Sequence, residues 1–150
     1  MRTIPEVEAA KELMNDAMTW SVMKWLREKK RVRKAADRAN ELLDQANLAV
    51  KKAWGEPLRV AYSSLNGSGR AKLPTDQSLV VLAKAVNEID ENARRARLEA
   101  EETFDRAEKQ LSTALAREGC RKAIQSWELH EVAIRKAEAA ASEIENKILK

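Results

Sequence analysis

GEPLRVAYSSLNGSGRAKLP, residues 55–74, gathers three of the chain's four glycines and two of its three prolines. Residues 6–54 before it contain neither Gly nor Pro, and residues 75–150 after it contain Gly119 alone. Proline removes a backbone donor and clashes in a helix interior, and glycine forfeits conformational entropy there. Collecting both in one segment leaves two long stretches free to be helical on either side of a connector. The connector carries an extended-looking LRVAY and a flexible NGSGR. Its Arg59, Tyr62, Arg70 and Lys72 are the candidate loop contacts, since long irregular connections often carry function.

Working toward the N-terminus, apolar residues recur at helical spacing. Thr3 is placed as an N-cap, with Pro5 in the first turn and Glu6 closing a capping box. The series Val7, Ala10, Met14, Ala17, Val22, Trp25 continues as Val32, Ala35, Ala39, Leu42, Ala46, Ala49, Ala53. The second part steps alternately by three and four, the seam of a coiled coil. One helix over 4–54 is expected, roughly 75 Å long at about 1.5 Å per residue, followed by a loop over 55–75.

Toward the C-terminus, Thr75 or Asp76 caps a helix over 76–118. Its seam is Leu79, Leu82, Val86, Ile89, Ala93, Ala96, Ala100, Ala107, Leu111 and Ala114. From Cys120 a second register begins (Cys120, Ala123, Trp127, His130, Ile134, Ala137, Ala141), offset by one residue, with Gly119 at the offset. The last helix, 120–149, either folds back at Gly119 or continues the preceding one. Fold-back would bring Trp127 level with Trp20 and Trp25 as one aromatic layer. The absence of a Ser, Thr, Asp or Asn cap in AREGCRK argues for continuation. We take fold-back as the first expectation. The fold class is all-α: an elongated antiparallel three-helix bundle or long coiled-coil hairpin forming a single domain over 1–150.

The composition agrees with an elongated helical object. Alanine supplies 25 of 150 residues and aromatics only 4%, so large core side chains are few. The single cysteine excludes an intrachain disulfide, and with a single histidine it leaves few soft metal ligands. No apolar run reaches a membrane span's length, and MRTIPEVEAAKE has no signal-peptide core. A cytoplasmic setting is expected.

The net charge of +4 conceals a local +5 over residues 27–38, REKKRVRKAADR. Lys29, Lys30, Arg31, Arg33 and Lys34 form the candidate basic patch, with the charges splayed to both sides of the Val32 seam. In a hairpin whose facing residues have numbers adding to about 132, this patch lies level with 94–105. Glu99, Glu101, Glu102 and Asp105 would then oppose it.

Catalytic constellations do not assemble. On a continuous helix His130 lies about 15 Å from Cys120, too far for a nucleophile–base pair. The Glu-x-x-His pairs of di-metal bundles are missing, because Trp127 stands three residues before the only histidine. NGSGRAK lacks the Gly-Lys-Ser/Thr ending of a phosphate loop. No catalytic, cofactor or metal site is expected. The expected function is structural or protein-interacting, an adaptor or assembly component that binds itself or a partner. Trp20, Trp25 and Trp127 are the candidate core or interface aromatics. The alternative is a nucleic-acid-associated protein using residues 27–38. In outline the chain resembles the coiled-coil stalks and export-chaperone hairpins of bacterial secretion machines, with no shared motif.

Overall fold

The computed structural model describes residues 2–54 and 77–148, with side chains described to residue 54 and again from 81 to 143. Among the described residues every regular element is an α-helix: α1 Pro5–Ala17, α2 Val22–Ala53, α3 Gln77–Gln110 and α4 Thr113–Ile148. The expected all-α class holds. The loop over 55–75, with Arg59, Tyr62, Arg70 and Lys72, lies outside the described residues, as do the Thr75 or Asp76 cap and the Leu79 side chain.

The helix expected over 4–54 is interrupted at Met18–Ser21 although neither Gly nor Pro is present. Three local bonds close α1: Met18 N–H to the Met14 carbonyl, Thr19 N–H to Asp16, and Trp20 N–H to Ala17. The Thr19 hydroxyl also donates to the Asp16 carbonyl at 2.7 Å. Ser21 is extended, with φ −71° and ψ 164°, and its side chain accepts from Lys24 N–H at 3.2 Å. Short hydroxyl side chains that bond their own backbone compete with helix continuation and favour caps. The break resolves a conflict, because on one straight helix Trp20 and Trp25 would point about 140° apart. Here both are buried. At the N-terminus Ile4, not Thr3, is the cap residue, and no side chain bonds the first turn.

The chain turns at Leu111–Ser112, eight residues before Gly119, and α3 and α4 form a hairpin. Leu111 takes φ 50°, and Ser112 N–H bonds back to the Ala107 carbonyl at 3.2 Å. That pairing is the six-to-one bond of a Schellman helix end. The Ser112 hydroxyl then accepts from Leu115 N–H at 3.2 Å and caps α4. Leu111, expected in the seam, is exposed at the turn.

Gly119 lies inside α4, fully helical, and faces Phe104. A Cβ placed there would sit 2.7 Å from Phe104 Cδ1 and 2.8 Å from Cε1. The phenyl ring has little room to retreat, because its other face stacks on Trp25 at 5.5 Å between centroids. Gly119 is therefore the hole that receives Phe104. Two opposite outcomes follow. Gly119→Ala should lower stability by about 1 kcal/mol, because an overpacking cost of about 1–3 kcal/mol exceeds the roughly 1 kcal/mol helix-propensity gain. Leu111→Gly should raise it by about 0.5–1 kcal/mol by relieving the left-handed backbone. Urea unfolding of both variants checks the pair; reversed signs would place the turn at Gly119.

The core follows α4, which packs against α1, α2 and α3. Ala116, Cys120, Ala123, Trp127, His130, Ile134 and Ala137 are buried along it, as the second register requires. In the C-terminal half of α2 Ala39 and Leu43 are buried and Val50 partly buried, while Ala49 and Ala53 are exposed; Trp54, the residue after the helix, is buried as well. The helix is thus rotated by one residue from the alanine seam. Burying Leu43 and Trp54 instead of two alanines removes more apolar area from water.

Candidate interaction surface

Polar side chains on the inward faces tie the helices together in three places. At the first, Arg97 of α3 forms a two-pronged pair with Asp44 of α2, Nη1 to Oδ2 at 3.1 Å and Nη2 to Oδ1 at 2.8 Å. Its Nη2 also lies 3.2 Å from Nε2 of buried His130 on α4. A guanidinium only donates, so Nε2 is the acceptor and the imidazole is neutral with its proton on Nδ1. Burial, reinforced by the positive charge of Arg97, lowers the His130 pKa to about 4.

At the second, buried Asp90 of α3 receives Lys51 at 2.7 Å and Asn47 at 3.3 Å from α2. At the third, buried Glu131 of α4 is held by Lys11 of α1, which also reaches Glu8 at 3.2 Å. Breaking such a pair strands a buried charge and costs several kcal/mol. The pairs therefore act as register keys. Only certain sliding positions of the helices satisfy them.

The register they enforce differs from the expected one. Facing polar pairs of α2 and α3 have residue numbers adding to 137–141 (Asn47 with Asp90, Arg33 with Asp105 and Glu108). The offset of about two turns from 132 moves the basic segment level with the C-terminal end of α3. Of the acids expected to oppose it, only Asp105 does so, at 2.8 Å from Arg33; Glu108 takes Arg33 Nε at 2.9 Å.

The aromatic layer does not form. With the reversal at Leu111–Ser112, Trp127 lies level with Asn40, and its indole N–H donates to Asn40 Oδ1 at 2.9 Å. Asn40 is about 22 Å along α2 from Trp25. Trp25 instead stacks on Phe104. Trp20 is buried beneath Lys24 and Arg31, whose cationic groups lie 5.1 and 5.9 Å from its ring centroid. Trp54, buried at the far end of α2, donates to the Ala137 carbonyl at 3.1 Å. Trp54 and Trp127 are thus packed apart from the Trp20–Trp25 end of the chain.

The basic patch divides into two roles. Arg33 is turned to α3 and engaged. Arg27, Lys30, Arg31, Lys34 and Arg38 are all exposed, and α2's buried residues Trp25, Val32, Ala39 and Leu43 lie on the opposite side. Those five cations align as one outward stripe, while Lys29 and Arg33 of the expected patch lie off it, half-buried on the side of the groove shared with Glu108. Lys29, Lys30, Arg33 and Lys34 also line a surface groove with Asp37 and Glu108.

Cys120 is buried with its thiol pushed up by burial to about 12, so it is inert as a nucleophile. It sits ten residues before His130 on the uninterrupted α4. Among the described residues no His, Cys, Asp and Glu group could hold a metal ion, and no helix is long and apolar enough to cross a membrane. The residues overlooked from sequence are the keys Lys11, Asp44, Asn47, Lys51, Asp90, Arg97 and Glu131, and Asn40 beside Trp127. Asp90 did carry a signal, standing between Val86 and Ala93 on the apolar face. Comparison with known proteins adds nothing to these contacts: no family model, curated protein or solved structure matches the chain.

Proposed function

We propose that the chain is a non-enzymatic, cytoplasmic helical scaffold, an adaptor or assembly component that offers its surface to a protein partner or to further copies of itself. In this reading α1 and α2 form one broken arm laid on the α3–α4 hairpin, an elongated antiparallel bundle of three arms. The observation that carries it is the use made of the buried polar groups. Asp90, His130 and Glu131 each bond a residue of another helix. A reacting site needs a titratable group poised near working pH and facing a substrate. The chain's lone histidine is engaged by Arg97 and its lone cysteine is unreactive, so its chemistry is spent on fixing shape.

Two measurements test the proposal. Light scattering across concentrations is expected to reveal a mass above the 16.9 kDa of one chain. Failing self-association, capture from source-cell extract should recover a partner that is lost on changing exposed Leu48 and Leu98 to Gln. A strict monomer whose captured proteins are unchanged by the substitutions would overturn it. A second reading, association with nucleic acid, is favoured by one observation: Lys29, Lys30 and Lys34 have no ion-pair partner among the described residues.

A further inference from the structure

The outward stripe of α2 runs roughly 16 Å from Arg27 to Arg38 at about 1.5 Å per residue. Arg27, Lys30 and Lys34 pair with no acid among the described residues, and neither does Lys29, which lies off the stripe in the adjoining groove. Arg31 and Arg38 hold only their own-helix neighbours Glu28 and Glu41, at 3.6 and 3.2 Å. Such exposed local pairs are worth a fraction of a kcal/mol and exchange readily for a stronger anion. The groove beside the stripe, about 420 Å³, continues the positive surface toward α3. Asp37 and Glu108 stand in it, and Glu108 is held by Arg33.

We propose that this stripe docks on the phosphate backbone of double-stranded nucleic acid without reading its sequence. The inference rests on the nucleic-acid reading above and narrows it. Three features select a duplex. First, the surface is almost purely ionic. Met23 is the one large apolar side chain exposed on this part of α2, whereas protein interfaces centre on buried apolar and aromatic anchors. Second, Trp20, Trp25, Trp54, Trp127 and Phe104 are all buried, so none is offered for stacking on unpaired bases. Third, a straight row of long cations matches a rod with one charge per about 1.7 Å, whose condensed counterions are released on contact. The exposed acids Glu101, Glu102 and Asp105 on α3 repel phosphates and confine the duplex to the α2 side.

Fluorescence anisotropy of a labelled, mixed-sequence DNA duplex with the full chain tests the proposal, using the matching single strand and polyglutamate as competitors. Affinity should fall with a log–log salt slope of about −4 between about 50 and 200 mM, reflecting four to five phosphates. Changing Arg27, Lys30 and Lys34 to Gln should weaken binding roughly tenfold or more and reduce the slope by about three. Removing the same charge by changing exposed Arg95, Arg117 and Arg121 to Gln should cost less than about twofold. Circular dichroism would confirm that both variants remain helical. Tighter binding of the single strand would overturn the duplex while leaving the nucleic-acid reading standing. Absence of any nucleic-acid binding at low salt would remove both. Polyglutamate binding in place of the duplex would assign the stripe to an acidic protein instead.

Discussion

Trp127→Ala is expected to lower the free energy of unfolding by about 3–5 kcal/mol, the usual cost of deleting a large buried aromatic and leaving a cavity. Trp127 is 1% exposed on the helix that contacts the other three. Its neighbours there include small residues, Ala36, Ala100 and Ala123, whose Cβ atoms cannot reach into the vacated space. The substitution also removes the donor to Asn40 Oδ1. Trp127→Phe separates the two contributions by keeping much of the apolar bulk and losing the N–H, and should cost less. Asn40→Ala, which leaves the indole N–H unpaired, should cost about 1–3 kcal/mol. Against a typical total of about 5–15 kcal/mol, the alanine variant sits near the threshold of folding. Urea unfolding followed by circular dichroism gives the values, provided that the slopes agree. A loss below about 1 kcal/mol for Trp127→Ala would mean that this ring does not fill the core.

The second large effect is a dependence on pH. His130 has a folded pKa of about 4, against roughly 6.5 in an unfolded chain. The unfolded state therefore binds more protons throughout the interval between these values, and folding stability rises with pH across it. The contribution is fully present above about pH 6.5 and is lost as pH falls toward 4. Its total is about 3 kcal/mol, of which about 2 kcal/mol is gone by pH 5. The physical cause is that an imidazolium here would be buried beside the Arg97 guanidinium. His130→Gln keeps an acceptor for Arg97 and cannot protonate, so its stability should change much less between pH 7 and pH 5. The difference between wild type and variant isolates the histidine from carboxylates that titrate at lower pH. Parallel curves for the two proteins would show that His130 is solvated and free of Arg97.

Helical class and the apolar face of α4 were legible from periodicity, because both depend on local spacing. The breaks were not. Neither the 18–21 interruption nor the turn at 111–112 uses glycine or proline; the first relies on Thr19 and Ser21, the second on a left-handed leucine followed by Ser112. The one glycine after residue 75 misled, because its value lies in the absent Cβ opposite Phe104 and not in backbone freedom. A subtler signal did mark the hairpin. Ala83, Val86, Ala93, Ala100, Phe104 and Ala107 are mirrored by Ala140, Ala137, His130, Ala123, Gly119 and Ala116, each pair equidistant from the Leu111–Ser112 bond. All twelve are buried, and the bulkiest member of the first series meets the glycine of the second.

The interhelix keys were harder to read because their partners lie 33 to 120 residues apart. A charge inside a heptad seam announces that it needs a partner without saying which. The basic patch was legible as composition, but its division into an Arg33 engaged across helices and an outward stripe depends on how α2 is rotated. That rotation is set by Trp25, Val32 and Leu43 choosing the interior.

The central claim is that the chain reverses at Leu111–Ser112, so that α4 is enclosed by helices of its own chain. The most direct measurement is a spin-label distance between cysteines placed at exposed Glu88 and Arg135, with Cys120 changed to Ala. The two positions are equidistant from the turn, so helices packed with axes about 8–10 Å apart should give one short peak, below about 25 Å with the labels included. A peak near 70 Å would mean that residues 77–148 form one continuous helix, and one near 30 Å a reversal at Gly119. Either longer distance would contradict the account.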